Sequence, residues 1–134
     1  MSYLTLTQFS VPVPNRPGSL REITKVLSRA NINVLGIIAE AISDSGFVRF
    51  IAEPEGAVSP ALKKAGFQVF ETPAISLELT NQPGTLSMAA ENFAKSGINI
   101  ISVYGTACGN QGARIVFVVD QPDKAKSVLE RILK

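Results

Sequence analysis

Asn15-Arg16-Pro17-Gly18-Ser19-Leu20 returns 66 positions later as Asn81-Gln82-Pro83-Gly84-Thr85-Leu86. The flanks repeat at the same offset. Phe9, Val11 and Val13 recur as Ile75, Leu77 and Leu79, and Ile32-Asn33-Val34 recurs as Ile98-Asn99-Ile100. A period of this length marks a repeated structural unit, not a short tandem array. In each copy the turn ends an alternating apolar run and opens a run of helical spacing. Pro17 and Pro83 preset the helix entry and give up only an N–H that has no helical partner. The amides that open a helix are unpaired and attract anions such as carboxylates.

Outward from the first turn, Phe9, Val11 and Val13 alternate as a half-buried strand does. Pro12 removes a donor, so one side of that strand faces an edge or a bulge. Leu20, Ile23, Leu27 and Ala30 fall on one face of an amphipathic helix over residues 17–30, with Arg21, Glu22, Lys25 and Arg29 opposite. Residues 33–39 read as a buried strand and 43–46 as a turn, with 47–52 as the second arm of a hairpin. A short helix over 57–65 ends at Gly66, and 67–71 is a last short strand.

The second half repeats the order. A strand over 74–79 precedes a helix with Leu86, Ala89, Ala90, Phe93 and Ala94 on one face. Strands over 99–106 and 113–119 flank a turn at 108–112, and a helix covers 125–133. This is the split β-α-β order of the ferredoxin-like fold. The class is α+β, with two βαββαβ units, 1–72 and 73–134, each an antiparallel sheet with helices on one face. The second unit stops short of a last strand. Residues 67–72 correspond at the repeat offset to 1–6, where Tyr3-Leu4-Thr5-Leu6 has strand character. Residues 2–7 are therefore a candidate fourth strand for the second unit. The alternative is one long first strand over 2–13.

Composition narrows the function. The 134-residue chain is 46% apolar and 18% charged with a formal charge of +2, an ordinary globular mix without the basic surface of a nucleic-acid binder. No apolar stretch approaches the ~18 residues of a membrane span, and the N-terminus lacks a signal-peptide pattern, so a cytoplasmic protein is expected. Cys108 is the sole cysteine and there is no histidine. An internal disulfide is excluded, and no metal or cofactor site is expected.

The two Asn-x-Pro-Gly-(Ser/Thr)-Leu turns, each followed by Ile-Asn-(Val/Ile) at the start of the second strand, resemble the ACT domain. The resemblance covers nearly the whole chain, twice, and is nearest to the stand-alone tandem ACT proteins of bacteria. It implies a non-catalytic regulatory module that binds a free amino acid where ACT units meet; a homodimer is one option for the chain's own assembly. Carried over by position, the ligand loops are Asn15, Gly18, Ser19 and Leu20 in the first unit and Asn81, Gly84, Thr85 and Leu86 in the second. Asn33 and Asn99 are the second-strand residues. Some amino-acid-binding members carry a histidine two residues before the loop asparagine; here Val13 and Leu79 stand there.

The residue types suit that chemistry. A zwitterion needs N–H donors for its carboxylate and oxygens for its ammonium group. Helix openings supply the donors, glycine permits close approach, and asparagine offers both an amide oxygen and an NH2 group. The same residues also make ordinary turns, and Asn33 and Asn99 can serve as left-handed caps at helix ends. Arg16 can pair with a carboxylate or simply be solvated. Two other classes compete with the sensor. An acylphosphatase-like hydrolase on the same fold would need a phosphate-cradling loop with a nearby arginine, and a structural or protein-interaction module would need no ligand. An RNA binder would need stacked aromatics on the central strands, where Phe47 and Phe50 face opposite sides.

Overall fold

The computed structural model describes residues 1–107 and 109–133. These contain strands β1 (Ser2–Pro14), β2 (Asn33–Ile42), β3 (Ser45–Glu53), β4 (Phe70–Leu79), β5 (Ile100–Ala107) and β6 (Ala113–Val119). The helices are α1 (Ser19–Arg29), α2 (Val58–Lys64), α3 (Thr85–Lys95) and α4 (Pro122–Ile132). The chain divides into two compact units. One is Thr7–Thr72; the other joins Met1–Leu6 to Pro73–Lys134. Each is ferredoxin-like.

In the unit Thr7–Thr72 the strand order is β2-β3-β1-β4. β3 lies antiparallel to β1, from Phe9↔Phe50 to Pro14↔Ser45, and antiparallel to β2. Phe9, Val11, Val48 and Phe50 bury their side chains against Ile23 and Leu27 of α1 and Val58 and Leu62 of α2. The rings of Phe9 and Phe50 stack at 5.6 Å. Each such side chain contributes about 1.5–3 kcal/mol through the apolar area it removes from water. The Ser59 hydroxyl donates to the Glu71 carboxylate (2.6 Å), which ties α2 to the start of β4.

Two elements differ from expectation. Residues 67–69 are not extended as a strand; Phe67 and Val69 pack on the core, and regular pairing begins only at Phe70. Gly66, at φ 93°, ends α2 and leads into that irregular stretch. β2 is an edge strand with one neighbour, longer and more exposed than a buried strand would be. Its run of apolar residues meets the core on one side only, so Ile42 lies in solvent.

In the other unit the order is β5-β6-β4-β1. Ile75, Leu77 and Leu79 of β4 and Phe117 and Val119 of β6 pack on Phe93 of α3 and on Val128 and Leu129 of α4. Phe93 meets Phe117 edge-to-face at 5.3 Å. β1 begins here. Tyr3 packs on this core, and its hydroxyl donates to the Glu130 carboxylate of α4 at 2.7 Å. β1 is thus one unbroken strand whose first residues serve one unit and whose later residues serve the other.

The repeat is visible at the helix ends. α1 starts at Gly18 (φ 92°) and α3 at Gly84 (φ 93°), both left-handed. α1 ends with Asn31 N–H on the Ser28 carbonyl and Ile32 N–H on the Leu27 carbonyl; α3 ends identically through Gly97 and Ile98. This is the Schellman arrangement, and its left-handed residue is Asn31 (φ 59°) or Gly97 (φ 71°). Asn33 and Asn99 therefore do not cap helices. Asn33 opens β2 opposite Glu53, and Asn99 exchanges hydrogen bonds with Asp120.

Candidate ligand-binding site

The Asn15 and Asn81 loops are built alike. Asn15 donates its side-chain NH2 to the Ser43 carbonyl (2.8 Å) in the β2–β3 turn, and Asn81 donates to the Gly109 carbonyl (3.0 Å) at the matching place. Arg16 N–H bonds the Pro14 carbonyl and Gln82 N–H bonds the Thr80 carbonyl. The Ser19 hydroxyl donates to the Pro14 carbonyl (2.6 Å), and the Thr85 hydroxyl to the Gln82 carbonyl (3.0 Å). These polar side chains fasten the loop to itself and to the neighbouring hairpin. Their work is to hold the helix opening in place.

That opening is bare. No side chain caps α1 or α3, and the residue before each helix is a glycine. A Cβ placed on Gly18 or Gly84 would meet nothing within 4 Å, so the space above both is open. Leu20 and Leu86, placed by sequence spacing on the core side of their helices, are instead 45% and 47% exposed. Each is the second residue of its helix and points its apolar side chain away from the core, beside the bare amides.

A cavity of about 180 Å³ lies at the first loop. The loop supplies Asn15, Arg16, Ser19 and Leu20, and β2 and β3 supply Glu40, Phe47 and their neighbours. Glu40 and Phe47 sit opposite one another in the β2–β3 register. The Arg49 guanidinium lies 4.6 Å from the centre of the Phe47 ring, a cation–π contact that holds the ring. A groove over Glu40, Ile42, Phe47 and Arg49 lies on the same part of the hairpin. Glu40 and Phe47 alternate with Ala39 and the core-facing Val48, so their side chains leave the hairpin on the face away from α1, and Arg16 is the charge that the loop itself brings.

Sequence reasoning placed the loop residues here and missed Glu40 and Phe47. Nothing in their local pattern marks them; they reach the site only because the hairpin turn folds back to Asn15. Asn33 is not at this site within its own unit. It pairs with Glu53, eight residues of β3 away from Ser45, or roughly 25 Å along an extended strand. Asn99 likewise sits at the end of β5 remote from the 109–111 turn. Cys108, the first residue of the expected 108–112 turn, lies outside the described residues.

A second cavity, about 680 Å³, is larger and lies elsewhere, between the first residues of β1 and α4. Met1, Ser2, Tyr3, Ser127, Glu130 and Arg131 line it. It is a groove bounded by the chain end, and neither repeated motif reaches it. Motif and cavity coincide at the first loop, so the smaller cavity is the better candidate of these two. Among the described residues no group of three His, Cys, Asp or Glu side chains could hold a metal ion. No helix among them is long and apolar enough to cross a membrane.

Two repeated βαββαβ units, each opening its first helix with Asn-x-Pro-Gly, match the ACT domain pair over residues 4–134. The chain belongs to the ACT domain pair family. ACT domains are regulatory modules, not catalysts. Among solved structures this ACT pair is similar to protein BT0572 from Bacteroides thetaiotaomicron, at 29% identity, over 96% of this chain and 89% of that one, with a TM-score of 0.90. It shares its fold with the ligand-free regulatory subunit of aspartate kinase from Thermus thermophilus, at 15% identity, over 100% of this chain and 99% of that one, with a TM-score of 0.69. The regulatory subunit of aspartate kinase from Thermus flavus has the same fold, at 16% identity, over 100% and 98% of the two chains, with a TM-score of 0.64. No curated protein matches the chain.

Proposed function

We propose that this ACT pair is a regulatory sensor of a free amino acid, held at the opening of α1 in the cavity of the Asn15 loop. The observation that carries the reading is the coincidence of a bare, glycine-started helix with a cavity that the loop lines with Asn15, Arg16 and Leu20. The helix amides and Arg16 receive the ligand carboxylate, and oxygens of the loop, the Asn15 amide oxygen among them, receive its ammonium group. Binding orders the loop and the β2–β3 hairpin, which are joined through Asn15. A partner that reads this hairpin then reads the ligand state. The protein acts in the cytoplasm in this reading, and self-association into a homodimer is part of it.

The relatives support the reading at the level of their names: two are regulatory subunits of aspartate kinase. A thermal-shift screen of the full chain against each common amino acid tests it. A ligand present at 100 times its dissociation constant adds about 2.7 kcal/mol to stability, a rise of several degrees. A flat response to every amino acid at millimolar concentration overturns the proposal.

A further inference from the structure

We infer that the outward face of α1 is a docking surface for an acidic helix face of a partner protein, met through Arg21, Lys25 and Arg29. The inference goes beyond the sensor reading and does not rest on it.

α1 buries Ile23 and Leu27 in the core of its unit. Arg21, Lys25 and Arg29 are four apart and exposed, so they form one stripe on the side away from that core, roughly 12 Å from end to end. α2 packs on the same core and ends in Lys63 and Lys64, both exposed. The two helices thus carry five cations against one acid, Glu22. The whole chain has a formal charge of only +2, so the excess is concentrated here and the rest of the chain is acidic in sum. Among the described residues none of the five cations is in an ion pair.

The stripe works against its own helix. Arg21 and Lys25, and again Lys25 and Arg29, are like charges four residues apart, an arrangement that weakens a helix. Arg21 also stands in the first turn, where a cation opposes the helix dipole; Arg29, in the last turn, suits it. The other repeat has the arrangement that local stability favours. At the same offset of 66, α3 carries Ser87, Glu91 and Lys95, and Glu91 and Lys95 form an ion pair at 3.4 Å. α3 and α4 together hold four cations and three acids. The repulsion built into α1, and absent from its counterpart, is relieved when a partner supplies carboxylates.

The form of the stripe defines the partner's chemistry. Cations in a row about 6 Å apart match carboxylates spaced four residues apart on a second helix. Glu22 beside the row is an acid that a protein face can answer with a lysine or arginine, whereas a phosphate backbone or an anionic lipid surface meets it only with repulsion. Neither α1 nor α2 contains an aromatic residue, so nucleic-acid bases find nothing there to stack on. The apolar side of α1 is buried in the core, which leaves only Leu20 to enter a bilayer.

An NMR titration of the 15N-labelled full chain at low salt, where exposed charges are least screened, tests this. The probe is an alanine-based helical peptide with glutamates at i, i+4 and i+8. Its controls are a peptide of the same composition with the glutamates scattered round the helix, a single-stranded oligonucleotide of equal charge, and phosphatidylserine vesicles. Amide shifts are expected along residues 21–29 and at Lys63 and Lys64, and not on α3 or α4, with the striped peptide tighter than the scattered one by about tenfold. The triple variant Arg21→Gln, Lys25→Gln, Arg29→Gln should weaken that binding by about tenfold or more without melting lower, because the like-charge repulsion goes with the charges. Lys124→Gln with Lys126→Gln leaves it unchanged. Equal binding of the two peptides, shifts spread equally over α3 and α4, wild-type affinity in the triple variant, or tighter binding of the oligonucleotide or the vesicles overturns the inference.

Discussion

Gly18 and Gly84 do two separable jobs. Their φ values of 92° and 93° lie where an L-residue is strained, by roughly 1–2 kcal/mol. The space above them is empty, so no steric clash within the protein adds to that strain. Gly18→Val is expected to lower stability by about that much and to remove ligand binding, since the new side chain stands over the helix amides. A folded variant that binds as wild type would reduce the loop to a turn. Tyr3 offers a second check, at the far end of the protein's chemistry. Its phenol is raised above the ordinary 10.0, first by its hydrogen bond to Glu130, then by burial and by the charge of that carboxylate. A folded-state value above the unfolded one stabilises fully below pH 10 and is lost as pH rises through the folded value. Tyr3→Phe should therefore melt lower than wild type near pH 8, with the gap closing in strongly alkaline solution. A gap that stays constant with pH would show that the hydroxyl contributes nothing through this bond.

The helices and strands show how much of the fold the sequence carried and where it stopped. The Asn15 turn set the start of α1 to within two residues, because proline and a left-handed glycine leave the backbone few options. Core faces were legible where spacing was strict: Ile23, Leu27, Ala89 and Phe93 are all buried. Leu20 and Leu86 obey the same spacing and are exposed, each in the first turn of its helix. β2 was misread as buried because an edge strand and a central strand carry similar apolar runs when the other face is left open. Glu40 and Phe47 were illegible as site residues, since only the fold brings them to the loop. The Schellman ends give a prediction at this scale. Gly97→Ala should cost about 1 kcal/mol in denaturant unfolding, whereas Asn31→Gly should be neutral or stabilising. Equal effects at both positions would contradict the shared geometry.

At the scale of the whole chain, the division of β1 between the two units is the feature with the longest reach. Tyr3 belongs with the core of Leu77, Phe117 and Leu129, although Leu77 is more than 70 positions further on. Deleting residues 1–5 should reduce amide hydrogen-exchange protection over 74–79, and unchanged protection there would detach the N-terminal segment from that unit. The central claim is narrower: an ACT pair binds an amino acid at the Asn15 loop. The most direct measurement is an NMR titration of the 15N-labelled full chain with the amino acid that gives the largest thermal shift. The account predicts amide shifts over residues 16–21 and at Glu40 and Phe47, saturating with one ligand per chain. Shifts confined to Tyr3, Glu130 and Arg131 at the larger cavity, with none at Gly18 or Leu20, would contradict it.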